Sequence, residues 1–318
     1  MQLDQPFQLK DAPIDVLSIG ELLVDMISDS YLNIIDNNKF QAYFGGSPAN
    51  ICMNVNRLGA KSKLVSAVGD DVFGDFLINH LNKQSVNTEL IQRSSRSTSM
   101  VVLNKSKETP IPIFYRGSDY QIKLTDQLSE SIKQTKIIHF SSWPLSKLES
   151  RKVVYEIIKL AKQENVLIGF DPNYHSELWD NPVEGIEVMK EMIGMADVIK
   201  PSEDDAERLF GPDTAENQIE KFHQLGCPTV LMTLGKDGAI VSLNRKKTYY
   251  KTMAKQIIDT TGAGDAFWSG FYTGITLGET VEKALTIGFL ASAYKLQFTG
   301  AVVELPHYRD LLVSEINM

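Results

Sequence analysis

Cysteines, basic clusters and long apolar runs are all scarce in this chain of 318 residues. Its two cysteines, Cys52 and Cys227, cannot build a disulfide framework and have no metal-ligand spacing, so a reducing, cytoplasmic setting is expected. No stretch approaches the roughly 18 uninterrupted apolar residues of a membrane helix. The polar start up to Pro13 also lacks the apolar core, about 7 to 15 residues long, of a signal peptide. Lys and Arg number 32 against 40 Asp and Glu, a net charge of -8. The longest basic run, Arg245-Lys246-Lys247, is short enough to be a hairpin turn, so no nucleic-acid surface is expected. Internal repeats and low-complexity segments are absent. Hydrophobic residues at 43% and charged residues at 23% are ordinary for a soluble protein. The length suits one large α/β domain with a well-buried core, or two small ones.

What the chain does have is a glycine-rich turn opening into a long apolar segment, from Ile257 to Phe271. Gly262, Ala263 and Gly264 carry little or no side chain, so a bound group can approach the backbone where a helix begins and its N–H groups form an anion hole. Asp265 lies beside that hole, placed to take a proton from an attacking hydroxyl. Two readings fit these residues: a phosphoryl-transfer site, or a capped helix whose first N–H groups Asp265 serves. The turn is neither a Walker A loop nor a dinucleotide fingerprint, since no Gly-Lys-Ser/Thr follows and the glycine spacing differs.

Upstream, apolar Val16–Ile19 ends in Gly20 like a buried parallel strand. Leu22–Ile27 and Lys39–Phe44 read as strands of a separate small sheet, and Asp25 within the first needs hydrogen-bond partners or water. Ser47–Leu58 reads as a helix with Ser47 as cap and Pro48 at its first position. Thr98–Leu103 and Ile111–Tyr115 read as a hairpin joined by polar Asn104–Pro110. With the earlier pair it makes a lid able to close over a ligand. From Ile137 the rhythm becomes strand, helix, strand, helix, the pattern of a parallel sheet covered on both faces with ligands at the strands' C-terminal ends. Asp171-Pro172-Asn173 and Lys200-Pro201-Ser202-Glu203 fall at such ends.

The segment Gly45-Gly46-Ser47-Pro48-Ala49-Asn50, taken with Gly262-Ala263-Gly264-Asp265, resembles the paired signatures of the ribokinase-like, pfkB-type carbohydrate kinases. The resemblance runs from about Val16 to about Pro306. It implies a three-layer α/β/α domain with a mainly parallel sheet, spanning 1–318, and a discontinuous β lid from about 21–44 and 98–121. It implies ATP and magnesium as cofactors and a sugar as substrate. Asp265 becomes the base, and Gly262, Ala263 and Gly264 the anion hole. Asp25, Gly45, Gly46, Asn50, Arg116 and Asn173 would bind sugar. Lys200, Thr233, Gly235 and Gly238 would border the nucleotide. The family commonly has Asn-x-x-Glu where this chain has Lys200-x-x-Glu203, so Glu203 would position magnesium through water, with Lys200 facing the phosphates. Asp259 stands where several relatives bind a monovalent cation, which makes potassium an expected activator.

Fructokinases and 2-keto-3-deoxygluconate kinases both resemble the chain at Asp25, Gly45-Gly46, Tyr115-Arg116 and the segment from Asp171 to Trp179. His175 replaces an arginine common to both. A neutral imidazole is a poor partner for a substrate carboxylate, which places fructose first, phosphorylated at carbon 6, the ketodeoxy acid second, and other sugars or nucleosides third. A catalytically silent binding regulator on the same fold is the alternative from another class. The exposed lid sheet suggests a homodimer.

Overall fold

In the computed structural model, which describes residues 2–30, 39–104 and 112–316, the strands are β1 (Ile14–Ile19), β2 (Leu23–Ser28), β3 (Phe40–Gly45), β4 (Ser62–Gly69), β5 (Ile91–Ser94), β6 (Met100–Leu103), β7 (Ile113–Tyr115), β8 (Thr135–Ser141), β9 (Leu167–Asp171), β10 (Val198–Ile199), β11 (Thr229–Thr233), β12 (Ala239–Leu243) and β13 (Lys246–Tyr250). The helices are α1 (Ser47–Leu58), α2 (Val72–Lys83), α3 (Asp126–Lys133), α4 (Leu148–Gln163), α5 (Pro182–Met195), α6 (Glu203–Phe210), α7 (Ala215–Gln224), α8 (Ala263–Thr276), α9 (Val281–Lys295) and α10 (Tyr308–Ile316).

Nine strands form one sheet in the order β13-β12-β11-β10-β9-β8-β1-β4-β5, parallel from β11 to β5 and antiparallel at β12 and β13. Its strands alternate between two buried faces, because side-chain direction has a period of two. Leu17, Ile19, Ile138, Phe140, Ile168 and Phe170 pack with α3 to α7. Val16, Ile137, Leu167 and Val198 pack with α1, α8 and α9. Each such side chain, fully buried, is worth roughly 1.5–3 kcal/mol, so the two layers hold the sheet rigid beneath its C-terminal edge. This is the ribokinase-like three-layer arrangement.

A second sheet, β3-β2-β6-β7, pairs β2 with β6 in parallel and the outer strands antiparallel. Leu22, Val24 and Phe44 seat it on α1 and α2 through a separate apolar cluster. The joint predicted from Asn104 to Pro110 falls almost wholly outside the described residues. Arg245 sits in the β12–β13 turn with φ of 69°, matching the hairpin expected there. Strand β5 escapes the sequence pattern, since Ile91-Gln92-Arg93-Ser94 has a single large apolar residue and borders the sheet on one side only. Helix α9 ends at Lys295. No helix among the described residues is long and apolar enough to cross a membrane.

Candidate active site

Helix α8 starts from Gly262, whose φ of 77° is left-handed and whose hypothetical Cβ would lie 3.0 Å from Ala301 Cα and O. Only glycine fits there without strain. No side chain caps the helix. The Ala263 N–H turns back to the Thr260 carbonyl at 3.1 Å and the Ala266 N–H to Gly262 at 3.0 Å. The donors left for an anion at this terminus are therefore the N–H groups of Gly264 and Asp265.

Asp265 faces α1. Its Oδ1 accepts from the Ser47 hydroxyl at 2.7 Å and its Oδ2 from Asn50 Nδ2 at 2.9 Å. Each oxygen keeps a lone pair for an incoming proton. Burial pushes the carboxyl up to about 6; the two hydrogen bonds and Lys200 oppose the shift, and Asp171 adds to it. That suits a base working near neutrality.

Ser47 is not the expected cap. Gly46, with φ of 121°, takes that position, and the Ser47 hydroxyl is released to hold the base. Asn50 likewise orients Asp265 instead of lining the adjoining cavity, while its buried Oδ1 has no partner.

That cavity, about 240 Å³, is lined by Glu21, Leu23, Asp25, Gly46, Ser47, Phe114, Trp143, Asn173 and His175 among others. Burial raises Asp25 to about 7. Gly45 acts through it, since a Cβ there would stand 2.4 Å from Asp25 Oδ2. Burial lowers His175 from its ordinary value, which keeps the imidazole neutral. Arg116, expected to point at the ligand, lies outside this lining. Its Nε donates to Asp119 Oδ2 at 2.8 Å and its guanidinium sits 4.7 Å over the Trp143 ring, whose Nε1 donates to the same oxygen at 2.7 Å. A buried carboxylate needs such a partner, so Arg116 fixes the Trp143 wall.

Glu21 was not singled out from the sequence. It is buried at 6% exposure, accepts from the Ser47 N–H at 3.3 Å, and its Oε2 has no partner. Burial, with Asp119 and Asp265 nearby, pushes it up to about 8, so at neutral pH it is a hydrogen-bond donor. The available signal was an acid directly after Gly20 at the C-terminal end of β1.

A second cavity of about 280 Å³ reaches Gly264, the residue before Asp265, and is lined by Lys200, Thr233, Gly235 and Gly238 together with apolar Phe267, Phe289 and Leu296. Lys200, 6% exposed, holds its ammonium 3.2 Å from Asp171 Oδ2. A Cβ on Gly264 would lie 3.3 Å from that nitrogen, so a cation underlies the anion hole. Glu203 is exposed at the head of α6, outside both cavities, while Ser202 and Asp205 form a capping box. Asp259 accepts from the Thr261 N–H and hydroxyl on Oδ1 and from the Gly300 N–H on Oδ2.

The chain matches the pfkB family carbohydrate kinase profile over residues 13–307. A protein of Thermoanaerobacterium thermosaccharolyticum named ATP-dependent 6-phosphofructokinase is 50% identical over 93% of this chain and 92% of its own length. The solved fructokinase of Halothermothrix orenii is 37% identical, with a TM-score of 0.77 over 87% of this chain and 98% of that one. A double mutant of Vibrio cholerae fructokinase, solved with fructose, ADP and potassium ion bound, is 26% identical, with a TM-score of 0.84 over 96% and 99% of the two chains. An oriented carboxylate whose partner Ser47 lines one cavity and whose neighbour Gly264 lines the other, on this fold and with these relatives, identifies the chain as a member of the pfkB family of carbohydrate kinases.

Proposed function

We propose that the protein transfers the γ-phosphoryl group of ATP to a primary hydroxyl of a neutral ketose, first of all fructose, giving fructose 6-phosphate. The observation that carries this is Asp265, held by Ser47, which lines one cavity, and by Asn50, and preceded by Gly264, which lines the other. Asp265 accepts the hydroxyl proton as the sugar oxygen bonds to phosphorus and the bond to ADP breaks. The Gly264 and Asp265 N–H groups and Lys200 face the charge on the transferring group. Magnesium would spread the phosphate charge when bound; it takes few carboxylates and several waters, and Glu203, exposed outside both cavities, would reach it only through water. The small sheet contributes Asp25, Val101 and Phe114 to the cavity and serves as the lid.

Fructose is favoured over the ketodeoxy acid because no Lys or Arg lines the sugar cavity among the described residues. The phosphofructokinase relative favours a second reading, fructose 6-phosphate phosphorylated at its other primary hydroxyl. A neighbouring cavity with Arg116 and Lys147 shares Phe114 and Leu178 with the first, giving a 6-phosphate cations to reach.

ADP release from Mg-ATP with fructose, fructose 6-phosphate, 2-keto-3-deoxygluconate, ribose and adenosine separates the readings. Fructose is expected to exceed the others by at least about ten-fold in kcat/KM. A preference for fructose 6-phosphate establishes the second reading. Silence with every acceptor refutes the kinase and leaves a binding protein.

Glu21 adds a pH signature. The folded state favours its protonated form, so its contribution to stability is full below 4.5 and is lost as pH rises through about 8. The KM for sugar is expected to rise over the same alkaline limb and to stay flat in Glu21→Gln, whose amide keeps a donor. A flat wild-type profile would remove Glu21 from sugar binding.

Potassium is bound in one relative, and its fit to this chain is decided at the Asp259 loop. There the Asp259 carboxylate accepts from the Thr261 and Gly300 N–H groups and its backbone carbonyl from the Lys295 ammonium, so a cation of the chain's own already stands at that loop.

A further inference from the structure

Lys295, the last residue of α9, is a lysine with 0% exposure that the phosphoryl-transfer chemistry does not use. Its ammonium donates to the backbone carbonyl of Asp259 at 2.8 Å and to that of Phe298 at 3.2 Å. A buried ammonium persists only where such acceptors compensate for lost water. Stripped potassium is held in the same manner, by carbonyl oxygens replacing its hydration shell.

The two carbonyls belong to segments that control the anion hole. Asp259 begins the loop running through Gly262 into α8, and its carboxylate oxygens already accept from Thr261 and Gly300. On the other side, the Phe298–Ala301 segment packs against Gly262, whose Cβ would touch Ala301. The ammonium therefore ties both walls of the loop that presents Gly264 and Asp265. The end of α9 carries negative dipole charge, which favours a cation there.

We infer that Lys295 is a tethered substitute for a monovalent cation: it positions the anion-hole loop, and the enzyme turns over without potassium. The inference rests on the phosphoryl-transfer reading of that loop. It departs from the potassium activation expected from the sequence, because the charge is covalently supplied by the chain itself.

Two readouts test it at matched ionic strength in potassium and in tetramethylammonium chloride. The first is ADP release with the best acceptor. Wild-type rates are expected to agree within about two-fold, while Lys295→Ala falls by about ten-fold or more in tetramethylammonium and recovers in potassium or ammonium. A purely structural lysine would give a defect that no cation repairs. The second is the melting temperature of the Mg-ADP complex, which requires no turnover and so stands even if the sugar assignment fails. It is expected to be the same in both salts for wild type. Potassium activation of the wild type by about five-fold or more, a potassium-specific rise in its melting temperature, or a Lys295→Ala defect indifferent to cations overturns the inference. If Lys295→Ala does not fold, the wild-type comparisons decide alone.

Discussion

Replacing Asp265 by Asn is expected to lower turnover by at least about 10²-fold, or roughly 2.7 kcal/mol of barrier, with ketose and Mg-ATP binding largely kept. Asparagine preserves the volume and an oxygen for the Ser47 hydroxyl, but it takes up no proton at neutral pH. Because burial raises Asp265 to about 6, the wild-type rate should fall as pH drops through that value, where the base becomes protonated. The residual rate of the variant should lack that limb. Near-normal turnover in Asp265→Asn would move proton transfer to another group, and loss of sugar binding would make Asp265 chiefly a ligand.

Lys200→Met carries the second large effect. Lys200 directly follows β10 with its ammonium near Gly264 and beside Asp171, so its charge is fixed where the γ-phosphoryl group would sit. Removing one preorganised charge of this kind costs about 10²- to 10³-fold in kcat. The fold is expected to survive with a lowered melting temperature. Asp171 loses its cation, but burial already raises its carboxyl toward the neutral form, and Trp268 Nε1 still donates to it at 2.8 Å. Kinetics with varied Mg-ATP check this. A fall confined to KM would limit Lys200 to ground-state binding, and an unchanged kcat/KM for ATP would remove it from the phosphate site.

Much of this was legible in the chain because it is local. The α1 boundaries Ser47–Leu58 follow from apolar spacing and Pro48, and the Gly262–Asp265 turn follows from adjacent residues. The alternating strands and helices after Ile137 gave the parallel sheet for the same reason. What local patterns could not show were partnerships made across the fold. Ser47 reads as a helix cap until a carboxylate 218 positions away proves to accept its hydroxyl. Arg116 reads as a ligand for sugar, but Asp119 and Trp143 claim it. Glu21 looks like an ordinary residue leaving a strand, and it is burial, with Asp119 and Asp265 brought near by the fold, that raises its carboxyl. Lys295 looks like a basic helix end, and only the return of Asp259 and Phe298 over it reveals a buried cation.

The most direct test is a single-turnover transfer of radiolabelled γ-phosphate from Mg-ATP to fructose, run with wild type and Asp265→Asn side by side. Label appearing in fructose phosphate with wild type, and at least about 100-fold more slowly with the variant, is the predicted result. Equal rates in the two proteins, or label reaching no sugar at all, would contradict the account.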